Sequence, residues 1–97
     1  MRVVWRPRAE ADLTKQTTWL QANRSGKAAL AFLLQVDEAI ARISNNGVVL
    51  YRLHDAARNI RYCHVNEHTA LYYRPLPDGV ELLTLFDTRQ DPDKLKL

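Results

Sequence analysis

Hydrophobic residues recur along this chain at two different spacings, and the change from one to the other falls near residue 47. Val3, Val4 and Trp5 form a short β-prone run that stops at Pro7, whose fixed φ and missing N–H suit the first position of a helix. From there Ala9, Leu13, Gln16 and Leu20 recur at helical spacing with Trp19 beside the stripe, and residues 23–26 offer a break. Ser25 precedes a second stripe of Ala29, Leu33, Val36, Ile40 and Ile43, closed by Asn45, Asn46 and Gly47, where a left-handed C-cap is easily accommodated. The pattern predicts a strand followed by two amphipathic helices in a short-looped hairpin.

Beyond residue 47 the texture becomes β-branched and aromatic, interrupted by turn signals. Residues 48–53 could add one short strand, and residues 60–65 read as a better one. Asn66, Glu67 and His68 mark a hairpin turn, and residues 69–74 pair back. Pro75, Pro77, Asp78 and Gly79 make the next turn, after which residues 80–87 run almost continuously apolar, as expected of a strand buried on both faces. Residues 88–97 are polar, contain Pro92 and read as a loop with a short tail docked on the body. Like elements come in runs, β-α-α-β-β-β with one further short strand allowed, which predicts an α+β fold. The helix hairpin would cover one face of an antiparallel sheet and leave the other relatively open. The 97 residues read as one domain without repeats or linkers.

Composition narrows the functional classes. With 46% hydrophobic and 26% charged residues the chain belongs to the globular class. No apolar run reaches the length needed to cross a bilayer, and MRVVWRPRAE lacks the apolar core of a signal peptide, so the cytoplasm is the expected compartment. One cysteine, Cys63, cannot form an internal disulfide, and three scattered histidines make no zinc pattern, so neither a metal nor another cofactor is expected. Arg52, Arg58, Arg61 and Arg74, together with His54, His64 and His68, face only Asp55 and Glu67 between residues 52 and 74. That local cationic patch suits a carboxylate, phosphate or nucleic-acid partner, or is a solvated strand surface.

Three strings, in order, carry a family resemblance. WRPRAEADL (residues 5–13) joins a strand to a proline-started acidic helix; ALYYRPLPDGVELLTLF (70–86) sets an aromatic pair and an Arg before a turn and an apolar strand; TRQDP (88–92) lies just beyond that strand. Together they resemble the ParE/RelE superfamily of toxins from bacterial type II toxin–antitoxin modules, most closely its ParE-like members. Arg6 stands where many relatives have a capping Ser, and Asp87 and Thr88 replace a common His-Gly, while Arg89 keeps the motif's arginine. The resemblance implies a non-enzymatic toxin that inhibits DNA gyrase by binding it, is neutralised by a cognate antitoxin, and meets operator DNA only through that antitoxin. The alternatives it leaves are a ribosome-dependent mRNA endoribonuclease of the RelE type and a non-toxic binding module.

RNA cleavage needs a proton acceptor, a proton donor and converging cations. On the RelE-like hairpin Val65 falls where the first sheet arginine belongs, and no aromatic residue follows Phe86. Strand alternation puts Arg61 and Cys63 on one side and His64 on the other, with His68 in the turn, so these groups are not expected to share a site. Cys63 reads as a small buried apolar residue rather than a nucleophile. Four of Trp5, Trp19, Tyr62, Tyr72, Tyr73 and Phe86 lie in or beside apolar runs and read as core, not as a base-stacking platform. Glu10, Asp12, Asp37 and Glu38 read as solvated helix residues or partners of nearby cations. The expected target-binding groups are Arg89 first, then Arg61, Arg58 and Arg74. The flanking Asp87 and Asp91 would either orient the Arg89 fork or neutralise it.

Overall fold

A computed structural model describes residues 1–46 and 51–97. The elements run β1 (Arg2–Trp5), α1 (Pro7–Asn23), α2 (Gly26–Asn46), β2 (Arg52–Asp55), β3 (Ile60–His64), β4 (Thr69–Leu76), β5 (Gly79–Asp87) and a short 3-10 turn, Pro92–Lys94. The C-cap expected at Gly47 and residues 48–50 of the expected strand 48–53 lie outside the described residues. The extra strand is present as β2, over Arg52–Asp55.

The five strands form one mixed sheet in the order β1-β5-β4-β3-β2. β2 to β5 are an antiparallel meander, whereas β1 pairs with β5 in parallel, Arg2 opposite Gly79 and Trp5 opposite Leu82. The parallel edge was not anticipated from the antiparallel pattern, because it joins segments more than seventy residues apart. It depends on close approach: a Cβ at Gly79 would sit 1.8 Å from the Arg2 carbonyl oxygen, so only glycine admits the strand.

Both helices lie on one face, as the stripes predict. Ala9, Phe32, Val36, Ala39 and Ile43 pack with Cys63, Val65, Leu71, Tyr73, Val80, Leu82 and Leu85 in the main core. α1 starts at Pro7 with no side-chain cap from Arg6, whose backbone N–H donates to Leu82 O at 3.0 Å. At the hairpin, Arg24 and Ser25 donate their N–H groups to Leu20 O, and Ser25 Oγ accepts from Ala28 N–H at 3.0 Å, capping α2.

The opposite sheet face, expected to be relatively open, is partly covered. Ile60, Ala70, Tyr72, Leu83 and Phe86 form a second cluster on which Leu95 and Leu97 of the tail rest. Two arginines tie the tail down: Arg8 Nη1 donates to Lys96 O and Arg58 Nη1 to Leu97 O, each at 3.0 Å.

Candidate functional site

The strand β5 needs new edge partners where β1 ends at Trp5, since a buried backbone N–H or C=O left unpaired is costly. Helix α1 supplies them. Asp12 Oδ2 accepts the Leu85 N–H at 3.2 Å and also the Thr84 hydroxyl, while Gln16 Nε2 donates to Leu85 O at 3.1 Å. Asp12 and Gln16 stand one turn apart, so together they bracket both backbone polar groups of one strand residue. The register of β4 on β5 shifts here, with Tyr72 opposite Thr84 and Tyr73 opposite Leu82, which leaves Leu83 as an extra residue. Asp12 is therefore not the solvated residue its helical position suggested; it is half-buried in a backbone contact.

This contact forms one wall of a groove of about 620 Å³ that runs between α1, the first half of α2, the β3–β4 turn and the end of β5. Its apolar side includes Trp19, Leu20, Phe32 and Leu85, and its rim carries Lys15, Arg24, His68 and Arg89. Trp19 remains 54% exposed, although its size would favour burial. Lys15 and Arg24 were not singled out by the sequence; the available signal was that Lys15 and Trp19 stand four apart on the flank of the buried stripe.

Arg89 reaches the groove mouth already clamped. Its Nε and Nη2 donate to Asp87 Oδ1 and Oδ2 at 3.0 and 2.8 Å, and its backbone N–H donates to Oδ1 at 2.9 Å. These hydrogen bonds hold the Asp87 carboxyl below its ordinary range and raise the Arg89 guanidinium further. The Arg89 side chain is still 65% exposed, so the outer edge of its fork faces solvent. Asp91 does not join the pair; it accepts from Asp93 N–H and caps the 3-10 turn.

The other expected arginines lie elsewhere. Arg58 holds the tail, and Arg61 donates from Nη1 to Tyr51 O and from Nε to Asn59 Oδ1. Arg74 lies at the β4–β5 end, where its Nη2 stands 2.8 Å from Glu81 Oε1 as an ion pair without hydrogen-bond alignment, and Arg6 approaches the same carboxylate at 3.7 Å. The four candidates thus do not share one surface.

The histidines follow the expected alternation. His64 and His54 flank Tyr62 and Tyr72 in a run of rings on the tail-covered face, Tyr62 stacked on Tyr72 at 5.2 Å and His54 edge-on to Tyr72 at 5.1 Å. His68 sits in the β3–β4 turn, its N–H held by Asn66 Oδ1 at 2.9 Å. Cys63 is buried in the main core, and burial pushes its thiol up, away from the nucleophilic thiolate. Among the described residues no three His, Cys, Asp or Glu side chains group as a metal site, and no helix is long and apolar enough to cross a membrane.

The family described as ParE toxin of type II toxin-antitoxin system, parDE, matches residues 3–92. Among solved structures the chain is similar to one from the chromosomal ParDE TA system from P. aeruginosa, with a TM-score of 0.74 at 14% identity, covering 90% of this chain and 95% of that one. It is similar also to the YoeB dimer from Staphylococcus aureus (TM-score 0.63, 13% identity, 89% and 94% covered). The YoeB-YefM complex from Staphylococcus aureus gives a TM-score of 0.61 at 11% identity, with 89% and 94% covered. No protein of curated function matches the sequence.

Proposed function

We infer, from the premise that this chain belongs to the ParE toxin family of type II toxin–antitoxin systems, that it arrests bacterial growth in the cytoplasm by binding DNA gyrase. The observation that carries this reading is the family match across residues 3–92, which takes in both α-helices, β2 to β5 and all but the first residue of β1. Arg89 supports it from the geometry. A fork fixed by Asp87 on one edge and open on the other can make a directed contact with a carboxylate or phosphate of a target at little cost in ordering. Arg61, His64 and His68 stand on three different surfaces, an arrangement that fits recognition better than concerted proton transfer.

A cognate antitoxin neutralises the toxin in this reading. The groove beside α1 fits an amphipathic segment of that partner: apolar side chains would cover Trp19 and Leu20, and acidic ones would meet Lys15 and Arg24. A chain of similar fold occurs in the YoeB-YefM complex from Staphylococcus aureus.

The test is induction of this chain in bacteria with and without its neighbouring small gene product, followed by measurement of plasmid supercoiling and mapping of mRNA ends. The reading expects growth arrest with altered supercoiling, relieved by the small protein. New mRNA ends dependent on translating ribosomes, with supercoiling unchanged, would favour the endoribonuclease alternative. Normal growth with high yield of the chain alone would favour a non-toxic binding module.

A further inference from the structure

Helix α2 turns a second surface outward, on a different side from the groove. Ala29, Phe32, Val36, Ala39 and Ile43 are buried and fix its inward face. At about 100° per residue the outward face carries Lys27, Leu30, Leu34, Asp37 and Ala41. Leu30 is 57% and Leu34 53% exposed, the most exposed leucines among the described residues. The helix hairpin does not explain them, because the stripe that packs on the sheet lies on the other side. Gln35 and Phe32, which line the groove, lie roughly 100–160° around the helix from Leu34 and Leu30.

The order of these residues is informative. Lys27, Leu30, Leu34 and Asp37 follow one another at spacings of three, four and three, the spacing of a helix–helix seam. The set is also self-complementary about residue 32, since read backwards it runs acid, Leu, Leu, base. A second identical helix laid antiparallel across a twofold axis at residue 32 sets Leu30 of each copy against Leu34 of the other. It also sets Lys27 of each copy against Asp37 of the other. A parallel pairing would oppose lysine to lysine and aspartate to aspartate. Within one chain Lys27 and Asp37 are exposed and join no ion pair among the described residues, so both charges are available. Exposed Ala31 and Ala41 flank the leucines and keep that side of the helix slim.

We propose that the outward face of α2 is a homotypic docking surface through which two copies of this chain pair antiparallel, with Leu30 and Leu34 at the centre and Lys27–Asp37 contacts at both ends. The pairing rests on α2 alone and holds whether or not gyrase is the target. With two leucines per copy the seam is small, and the association is concentration-dependent rather than obligate.

Sedimentation equilibrium of the purified chain over a wide concentration range tests it. The expected average mass rises from the monomer's 11.2 kDa towards twice that value as concentration increases. Replacing Leu30 and Leu34 together by Gln removes the rise. Lys27→Asp and Asp37→Lys, each alone, place like charges at both ends and weaken association roughly tenfold or more. The double reversal restores it, and an equimolar mixture of the two single variants associates while neither does alone. All these positions are exposed, and circular dichroism confirms that each variant is folded. Four results overturn the proposal: a mass fixed at 11.2 kDa throughout; self-association indifferent to the charge reversals; a double reversal that stays monomeric; or a mixture that fails to associate. If the leucines serve to capture a different protein, the chain alone stays monomeric and the proposal fails in the same way.

Discussion

The carboxylate of Asp12 on α1 accepts the backbone N–H of Leu85 on β5 at 3.2 Å, and so completes a strand edge that β1 leaves unpaired. Asp12→Ala leaves that N–H and the Thr84 hydroxyl without their acceptor, and is expected to cost about 1–3 kcal/mol of stability. Asp12→Asn keeps an acceptor oxygen and is expected to cost less. Urea unfolding of the three proteins provides the check; an Ala variant within about 0.5 kcal/mol of the parent would mean that water satisfies the edge equally well.

Gly79 and Gly26 are expected to respond in opposite directions to the same substitution. A methyl group at Gly79 meets the Arg2 carbonyl, so Gly79→Ala must push β1 away from β5 and should cost about 1–3 kcal/mol. Gly26, in the first turn of α2, has nothing within 4 Å of an added Cβ, and Gly26→Ala should raise stability by up to about 1 kcal/mol. Thermal melts of the two variants, with hydrogen exchange at residues 2–5, distinguish the effects.

The Asp87–Arg89 clamp gives stability an acid-side dependence of known sign. Because the folded carboxyl titrates below its ordinary value of 3.8, its contribution is complete above that pH and disappears as pH falls through the lower folded value. Asp87→Asn should be less stable than the parent at pH 7, and the difference should shrink as pH falls below 3.8. Arg89→Lys keeps the charge but loses the two-pronged geometry, so it should weaken the clamp as Asp87→Asn does, and target binding should fall roughly tenfold or more in a protein that circular dichroism shows to be folded. Equal affinity for the Lys variant would show that only charge matters there.

Cys63 is expected to react with a thiol reagent only after unfolding, since it is buried and its thiol is pushed up by desolvation. Cys63→Ala should cost about 1 kcal/mol of packing and leave toxicity intact. Fast modification of the native protein, or loss of toxicity in a folded Cys63→Ser variant, would contradict this placement.

Local pattern carried the helices and the meander, because the inward faces of α1 and α2 are written at helical spacing and β3 to β5 as β-branched and aromatic runs set between turn residues. Long-range relations were not legible. Nothing near Val3 or Val4 indicates that they lie parallel to residues 80–81, and nothing near Asp12 points to a strand amide more than seventy positions away. At the candidate site the sequence identified Arg89 and its two acidic neighbours but could not choose between orientation and neutralisation. In the structure Asp87 clamps the fork and Asp91 turns away to cap the tail. Arg58 looked free in a cationic stretch because its partner, the Leu97 carbonyl, arrives from the far end of the chain.

The proposed function is tested most directly by titrating the purified chain into a DNA gyrase supercoiling reaction, with the Arg89→Ala protein in parallel. Supercoiling should fall as the chain is added, and the Arg89→Ala protein, folded as the parent is, should inhibit much less. Supercoiling that proceeds unchanged at saturating concentrations of the folded chain would contradict the gyrase assignment.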